Sequence, residues 1–397
     1  MHDHPILAQV VLGYSPMIDR DRAVSATRLT VFPVHPDVPL DAGALLAAVA
    51  EVWPEAGGKV SLNVVSESLL HDLLRAQPNP NLMLEVPAFM ACDAALSESI
   101  MALYGRGNTL LIKGRPRVEL PRDVLPCFKY SIIDLEEERR SDTPPPPGVT
   151  RQISHVQAGV RTLVELDASF RRGAVAVLGW PIDDVVQPGG GSVQPDLGTI
   201  LELMRRIDKE APIERLEDTL KLDPTLAFKL LRYINSPAFG LRVEVGSFHH
   251  ALMLLGYQRL KRWLALLLAS ASKDRDMKPV MFAALRRGLL MEELARASGG
   301  GDEAMHNEAF ICGVFSLLDR MMRQPFAELL KAVPVPDSVR QVLVDGKGPY
   351  QPLLEVVRAV ENESLFDVRD SAERLLLGVG EINRAVLRAL ARAVQIQ

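Results

Sequence analysis

In the C-terminal half of the chain, His249, His250 and His306 are the side chains suited to holding a metal ion for hydrolysis. His249 and His250 are neighbours, so on a helix they point about 100° apart and cannot clasp one ion together. No carboxylate follows any of the three at a metal-ligand spacing, so they read as surface or helix-cap residues. Asp319, in "SLLDRMM", is an isolated acid whose expected partner is Arg320 or Arg323. Cys312, in the apolar "AFICGVF", has no adjacent base to form a thiolate and is expected to be a core thiol. With Cys92 and Cys127 it makes no CxxC spacing, so neither a zinc site nor a disulfide framework is indicated. Nucleophile elbow, Walker loop and dinucleotide fingerprint are all absent, and "PGGGS" lacks the strand-to-helix context of a phosphate loop.

The basic clusters "MRRIDK", "RLKRW" and "ALRRG" alternate with apolar residues at helical spacing, which predicts the solvated side of a helical bundle. Aromatic residues, at 5%, are too few for base-stacking platforms, and nucleic acid is not an expected partner. The formal charge of -5 gives no global attraction to phosphate backbones or acidic membranes. No apolar run reaches the roughly 18 residues of a membrane span. A reducing, cytoplasmic setting is expected.

The elements that position these residues divide the 397 residues into two parts. Up to residue 187, apolar runs alternate with helical patterns such as "DAGALLAAVAEVW" and "SESLLHDLLRA". The runs are "QVVLGYSPMI", "RLTVFPV", "GKVSLNVV", "NLMLEVPAFM", "NTLLIKG", "KYSIIDL" and "GAVAVLGWP". That alternation predicts a parallel sheet closed into a β/α barrel. "SDTPPPPG" reads as a surface loop within the barrel, because the strand pattern resumes after it. The glycine-rich segment 188–195 reads as the linker, and 196–397 as an all-helical domain. Within the latter, "INSPAFG" ends a helix: Asn235 suits the left-handed stop, Ser236 is held extended by Pro237, Phe239 offers a ring to bury, and Gly240 turns the chain.

"KLDPTLAFKLLRYINSPAFG" followed by "SFHHALMLLGYQRLKRWLALLLAS" resembles the HDOD domain, a helical signalling module related to HD hydrolases but lacking their metal site. In "AFICGVFSLLDRMM", Ser316 and Leu317 stand where an HD enzyme carries its His-Asp pair. The part before the linker resembles the EAL-type barrel of cyclic di-GMP phosphodiesterases. Under that resemblance Asn63 and Glu85 fit the asparagine and glutamate that end two strands, but Arg28 replaces the glutamate that names the motif. Lys113 and Gly114 replace an Asp-Asp pair, Ile132 a lysine, Ala158 and Arg161 two glutamates, and Leu178 a glutamine.

Phosphodiester hydrolysis at a barrel mouth needs a cluster of carboxylates to hold divalent ions. Glu85 and Asp134 are what remains, too few to fill the octahedral oxygen shell of magnesium. Glu85 is expected to pair with a neighbouring base such as Arg28 or Lys113. The fold expectation is thus α/β plus all-α, a degenerate EAL-type barrel followed by an HDOD domain. The functional expectation is a regulatory protein with no catalytic residues, metal or cofactor, working through other signalling proteins or through self-association. A residual cyclic di-GMP phosphodiesterase or a cyclic di-GMP sensor is the alternative.

Overall fold

The computed structural model describes residues 4–55, 58–140, 153–184, 195–221, 226, 230, 245, 248–270, 275–299, 301–332 and 335–396. Asn235, Ser236, Pro237, Phe239 and Gly240 lie outside these residues, as do the proline run and the triple glycine.

Eight strands close into a barrel in chain order: β1 (Val10–Asp19), β2 (Val24–Pro33), β3 (Lys59–Val64), β4 (Leu82–Pro87), β5 (Thr109–Lys113), β6 (Phe128–Asp134), β7 (Ser154–Ala158) and β8 (Ala176–Leu178). The strand runs expected from sequence all fall on barrel strands, because most are Val/Ile/Leu-rich stretches buried on both faces once helices cover the outside, β6 with its exposed Lys129 and Asp134 being the exception. β7, "SHVQA", lacks that signature. It turns the polar side chains of His155 and Gln157 into the protein, where they hydrogen-bond each other and Gln157 donates to the Ile133 carbonyl.

The expectation of a uniformly parallel sheet needs correction. β1 runs antiparallel to both β2 and β8, whereas the pairings from β2 through to β8 are parallel. The cause is local. β1 and β2 are joined by a tight turn rather than a crossover helix, and short turns join only antiparallel strands. Asp19 makes that turn: its backbone N–H donates to the Ala23 carbonyl, and its carboxylate accepts the N–H groups of Asp21 and Ala23.

Between the parallel strands lie capped amphipathic helices. Asp41 caps Ala42–Val52 and Ser66 caps Glu67–Arg75, whose Leu69, Leu70, Leu73 and Leu74 are all buried as their spacing predicts. Met17, Ala26, Met83, Leu111, Ile132, Val156, Ala158, Ala176 and Leu178 fill the barrel as one apolar cluster.

Packing divides the chain into two compact units. The first comprises Met1–Asp184, Ala297–Gly299 and Pro352–Gln397; the second comprises Val185–Arg296 and Gly300–Gln351. Helical periodicity alone assigned all of 196–397 to one helical domain, but Pro352–Gln397 packs with the barrel. The reason lies at β1, where β8 pairs only with Met17–Asp19 and leaves the edge at Val10 and Leu12 unpaired by a second strand. The C-terminal helix Val379–Ile396 covers that edge. Its buried Asn383 donates to the carbonyls of Leu7 and Val10 and accepts the Leu12 N–H, closing backbone groups that a barrel interior cannot leave bare.

The second unit is helical, with Pro195–Asp208, Ile213–Lys221, Phe248–Ser270, Lys278–Ala297 and Glu303–Phe315 as its longer described helices. Phe248–Ser270 breaks at Gly256, whose φ of +65° is the left-handed conformation that glycine adopts without a Cβ clash. The basic clusters, expected on the solvated face, partly turn inward instead. Arg262 forks onto the buried Glu292 at 2.7 and 2.8 Å and lies 4.3 Å from the Phe310 ring centre, while Arg286 stacks 4.0 Å over Phe282. Arg287, also buried, donates to the Ser316 hydroxyl. Each guanidinium meets an internal carboxylate, ring or hydroxyl, which offsets the loss of water. Among the described residues, no helix is long and apolar enough to cross a membrane.

Candidate functional site: the barrel mouth

Alternation along the strands brings polar residues of β2 to β5 together near their C-terminal ends, where barrels of this class carry their sites. Arg28 on β2 lies beside Ser61 on β3, and Thr30 beside Asn63. From β4, Glu85 reaches back under Arg28. The guanidinium donates through Nε to Glu85 Oε1 at 2.9 Å and through Nη2 to Oε2 at 2.8 Å, a bidentate fork. Ser61 adds a hydrogen bond to Oε1 at 3.1 Å. Glu85 is 1% exposed and Arg28 9%, so this is a buried pair. Burial opposes the Arg28 charge, but Glu85 and then Glu363 outweigh it and raise the arginine pKa above its ordinary value.

A second layer lies above the fork. Lys113 Nζ donates to Asn63 Oδ1 at 2.8 Å, and Asn63 Nδ2 donates to Thr30 Oγ1 at 3.2 Å. Thr30 Oγ1 in turn donates to Glu363 Oε2 at 2.8 Å, and Ser15 on β1 donates to Glu363 Oε1 at 3.0 Å. The remaining guanidinium nitrogen of Arg28, Nη1, stands 3.7 Å from Glu363. Sequence reasoning missed Glu363: it sits in the turn after the helix Gln351–Glu361, and nothing in that helix's periodicity points to Ser15, Arg28 and Thr30 more than three hundred residues away in sequence.

The mouth opens into a cavity of about 970 Å³, lined by basic Arg28, Lys113, Arg115 and Arg117 and by an apolar rim that includes Phe89 and Val118. Asn63 and Asp134 also line it. Asp134 is exposed, and its Oδ1 accepts the backbone N–H of Glu136. Of the sites expected from sequence, Asn63 and Glu85 therefore enter one network, while Asp134 stands apart. Gly114, Ile132 and Ala158 line the cavity where the resemblance implies ionisable groups, Leu178 is in the apolar filling, and Arg161 pairs outside with Asp183 at 2.7 Å. These residues do not fit a divalent metal. Among the described residues, no group of three or more His, Cys, Asp or Glu could hold one, and Arg28 takes both oxygens of the buried carboxylate.

Lys113 gives the mouth a pH dependence. Burial lowers its pKa, and the Arg28 charge lowers it further, against the pull of Glu85, Glu363 and Asp134. Between that lowered value and the ordinary lysine value near ~10.4, the unfolded chain holds a proton that the fold has released. Stability from this group therefore rises with pH across that window. Lys113→Met removes the effect. In urea melts at pH 7 and pH 10, wild type should gain stability relative to Lys113→Met on going to the higher pH, and a pH-independent difference would contradict the assignment.

In the second unit, the position of the HD pair holds Ser316, whose hydroxyl donates to the Gly313 carbonyl at 2.7 Å and accepts from Arg287 at 3.1 Å. Asp319 pairs with Arg320. His306 lies 3.8 Å from Glu303, and Cys312 is fully buried.

Residues 195–328 match the HDOD domain family, so the chain carries a β/α barrel followed by an HDOD domain. It is 29% identical over 170 residues to the uncharacterized protein YuxH of Bacillus subtilis, covering 41% of this chain and 40% of that one. It is 25% identical over 198 residues to the cyclic di-GMP phosphodiesterase CdgJ of Vibrio cholerae, covering 50% of this chain and 45% of the relative. The chain thus spans less than half the length of these curated relatives. Among solved structures, it is similar to a standalone EAL protein of Vibrio cholerae in its c-di-GMP-bound form, at 15% identity and TM-score 0.31 over 44% of this chain and 91% of that one. It is also similar to Bacillus subtilis YkuI, a protein with an EAL domain in complex with c-di-GMP and calcium, at 13% identity and TM-score 0.31 over 69% and 71% of the two chains.

Proposed function

We propose that this chain is a non-catalytic regulatory protein of cyclic di-GMP signalling that works in the cytoplasm through contact with other signalling proteins, self-association being a second mode of contact. The observation that carries the reading is the fork from Arg28 to Glu85. A phosphodiesterase needs its mouth carboxylates turned toward divalent ions, and magnesium demands about six oxygens in near-octahedral geometry. Here a fixed positive charge already occupies the buried carboxylate, so an approaching cation meets repulsion and finds no ligand set. The HDOD match and the name of the Vibrio cholerae relative supply the signalling context. Contact with proteins is supported by the apolar rim, where Val65, Phe89 and Val118 are 51%, 60% and 64% exposed.

Manganese binding tests the reading at the atoms concerned. Titration of the full chain, followed by electron paramagnetic resonance of free Mn²⁺, should reveal no equivalent of bound ion that depends on Asp134. One equivalent bound by wild type and lost in Asp134→Asn would sink the proposal.

A nucleotide sensor is the second reading, favoured by the four bases around the cavity. Arginine suits bidentate contact with phosphate. Calorimetric titration with cyclic di-GMP separates the two readings: saturable heat without product favours the sensor, and its absence favours the contact module.

A further inference from the structure

Glu363 occupies a place built for an anion. Its carboxylate receives two hydroxyl donors, Ser15 Oγ and Thr30 Oγ1, and faces the Nη1 edge of Arg28 that the Glu85 fork leaves over. None of these donors is near it in sequence, so the arrangement is a tertiary one. The backbone is shaped for the contact as well. Glu363 has φ of +53°, a left-handed conformation that is strained for a non-glycine residue and persists only where its surroundings enforce it. Opposite it, β1 carries Gly13, where an added Cβ would come within 3.0 Å of both Cα and Cγ of Glu363. The turn itself is pinned from both sides: Glu363 N–H donates to the Val360 carbonyl, and Ser364 caps the helix Leu365–Arg374. Yet the Glu363 side chain is 20% exposed and lines the open cavity of the mouth.

We propose that Ser15, Thr30 and Arg28 form an anion receptor whose resident ligand is the chain's own Glu363, so that the turn bearing Glu363 is a latch fastened over these three donors. An acidic side chain or other small oxyanion that wins these donors releases the turn, and a latched receptor is silent to such anions. The proposal goes beyond the regulatory reading and holds whether or not the barrel turns over a substrate.

Inorganic phosphate is the probe. Its binding to the full chain is measured by phosphorus-31 line broadening at constant ionic strength. Glu363→Ala should bind phosphate at least about tenfold more tightly than wild type, and adding Thr30→Val to that variant should return the affinity toward the wild-type value. Gly13→Ala, which pushes the turn away while keeping all three donors and Glu363, should shift phosphate affinity in the same direction, and it carries the test if Glu363→Ala fails to fold. Equal affinity in wild type and the released variants would overturn the latch. Folded variants that bind no phosphate at all would overturn the receptor.

Discussion

Arg28→Ala is expected to destabilise the barrel by about 3–5 kcal/mol, the cost of leaving one partner of a buried ion pair charged and alone. The stranded group is Glu85, whose side chain has no solvent exposure and would keep only the Ser61 hydroxyl of its present partners. In a thermal melt the barrel transition should fall by on the order of 10 °C. The control is the double replacement Arg28→Met with Glu85→Leu, which exchanges the pair for apolar side chains. Because desolvation offsets much of what a buried pair contributes, the double variant should recover most of the loss. If Arg28→Ala melts within a degree or two of wild type, the fork is not the structural core of the mouth, and the case against a metal site weakens with it.

Asn383→Ala should cost nearly as much, about 3 kcal/mol or more, through a different mechanism. Asn383 is fully buried and closes three backbone groups at 2.7, 2.7 and 3.0 Å: the carbonyls of Leu7 and Val10 and the N–H of Leu12. Truncation orphans all three, and each buried unsatisfied group costs ~1–3 kcal/mol, with partial relaxation reducing the sum. Arg388→Ala, an exposed site on the same helix, should stay within about 0.5 kcal/mol of wild type. Denaturant midpoints of the full chain measure both. If the two variants lose equal stability, the C-terminal helix is not fastened to β1 through Asn383.

The sequence made the strands and the outer helices of the barrel legible because burial on both faces leaves runs such as "LMLEV" and "TLLIK", and one-sided burial leaves a leucine stripe such as Leu69, Leu70, Leu73 and Leu74. It hid β7, because a strand that carries His155 and Gln157 inward has no such run. Of the candidate site, Glu85 and its need for a basic partner could be read in advance, but the choice between Arg28 and Lys113 could not. That choice depends on β3 lying between β2 and β4, with Ser61 bridging, which only closure of the sheet fixes. The inward turn of Arg262 was equally hidden, since its partner Glu292 lies 30 residues on. Periodicity tells that a helix has an apolar face and not what the face meets; hence Pro352–Gln397, and with it Glu363, reads as part of a helical domain although it packs on the barrel.

The central claim, that the mouth has exchanged metal chemistry for a closed network of Arg28, Glu85 and their neighbours, is tested most directly by turnover. The purified full chain is incubated with cyclic di-GMP and either magnesium or manganese, and linear dinucleotide is followed by chromatography over several hours. No product should form above a buffer blank with either ion. Metal-dependent product that disappears in Asp134→Asn, a variant that leaves the Arg28–Glu85 fork intact, would contradict the account.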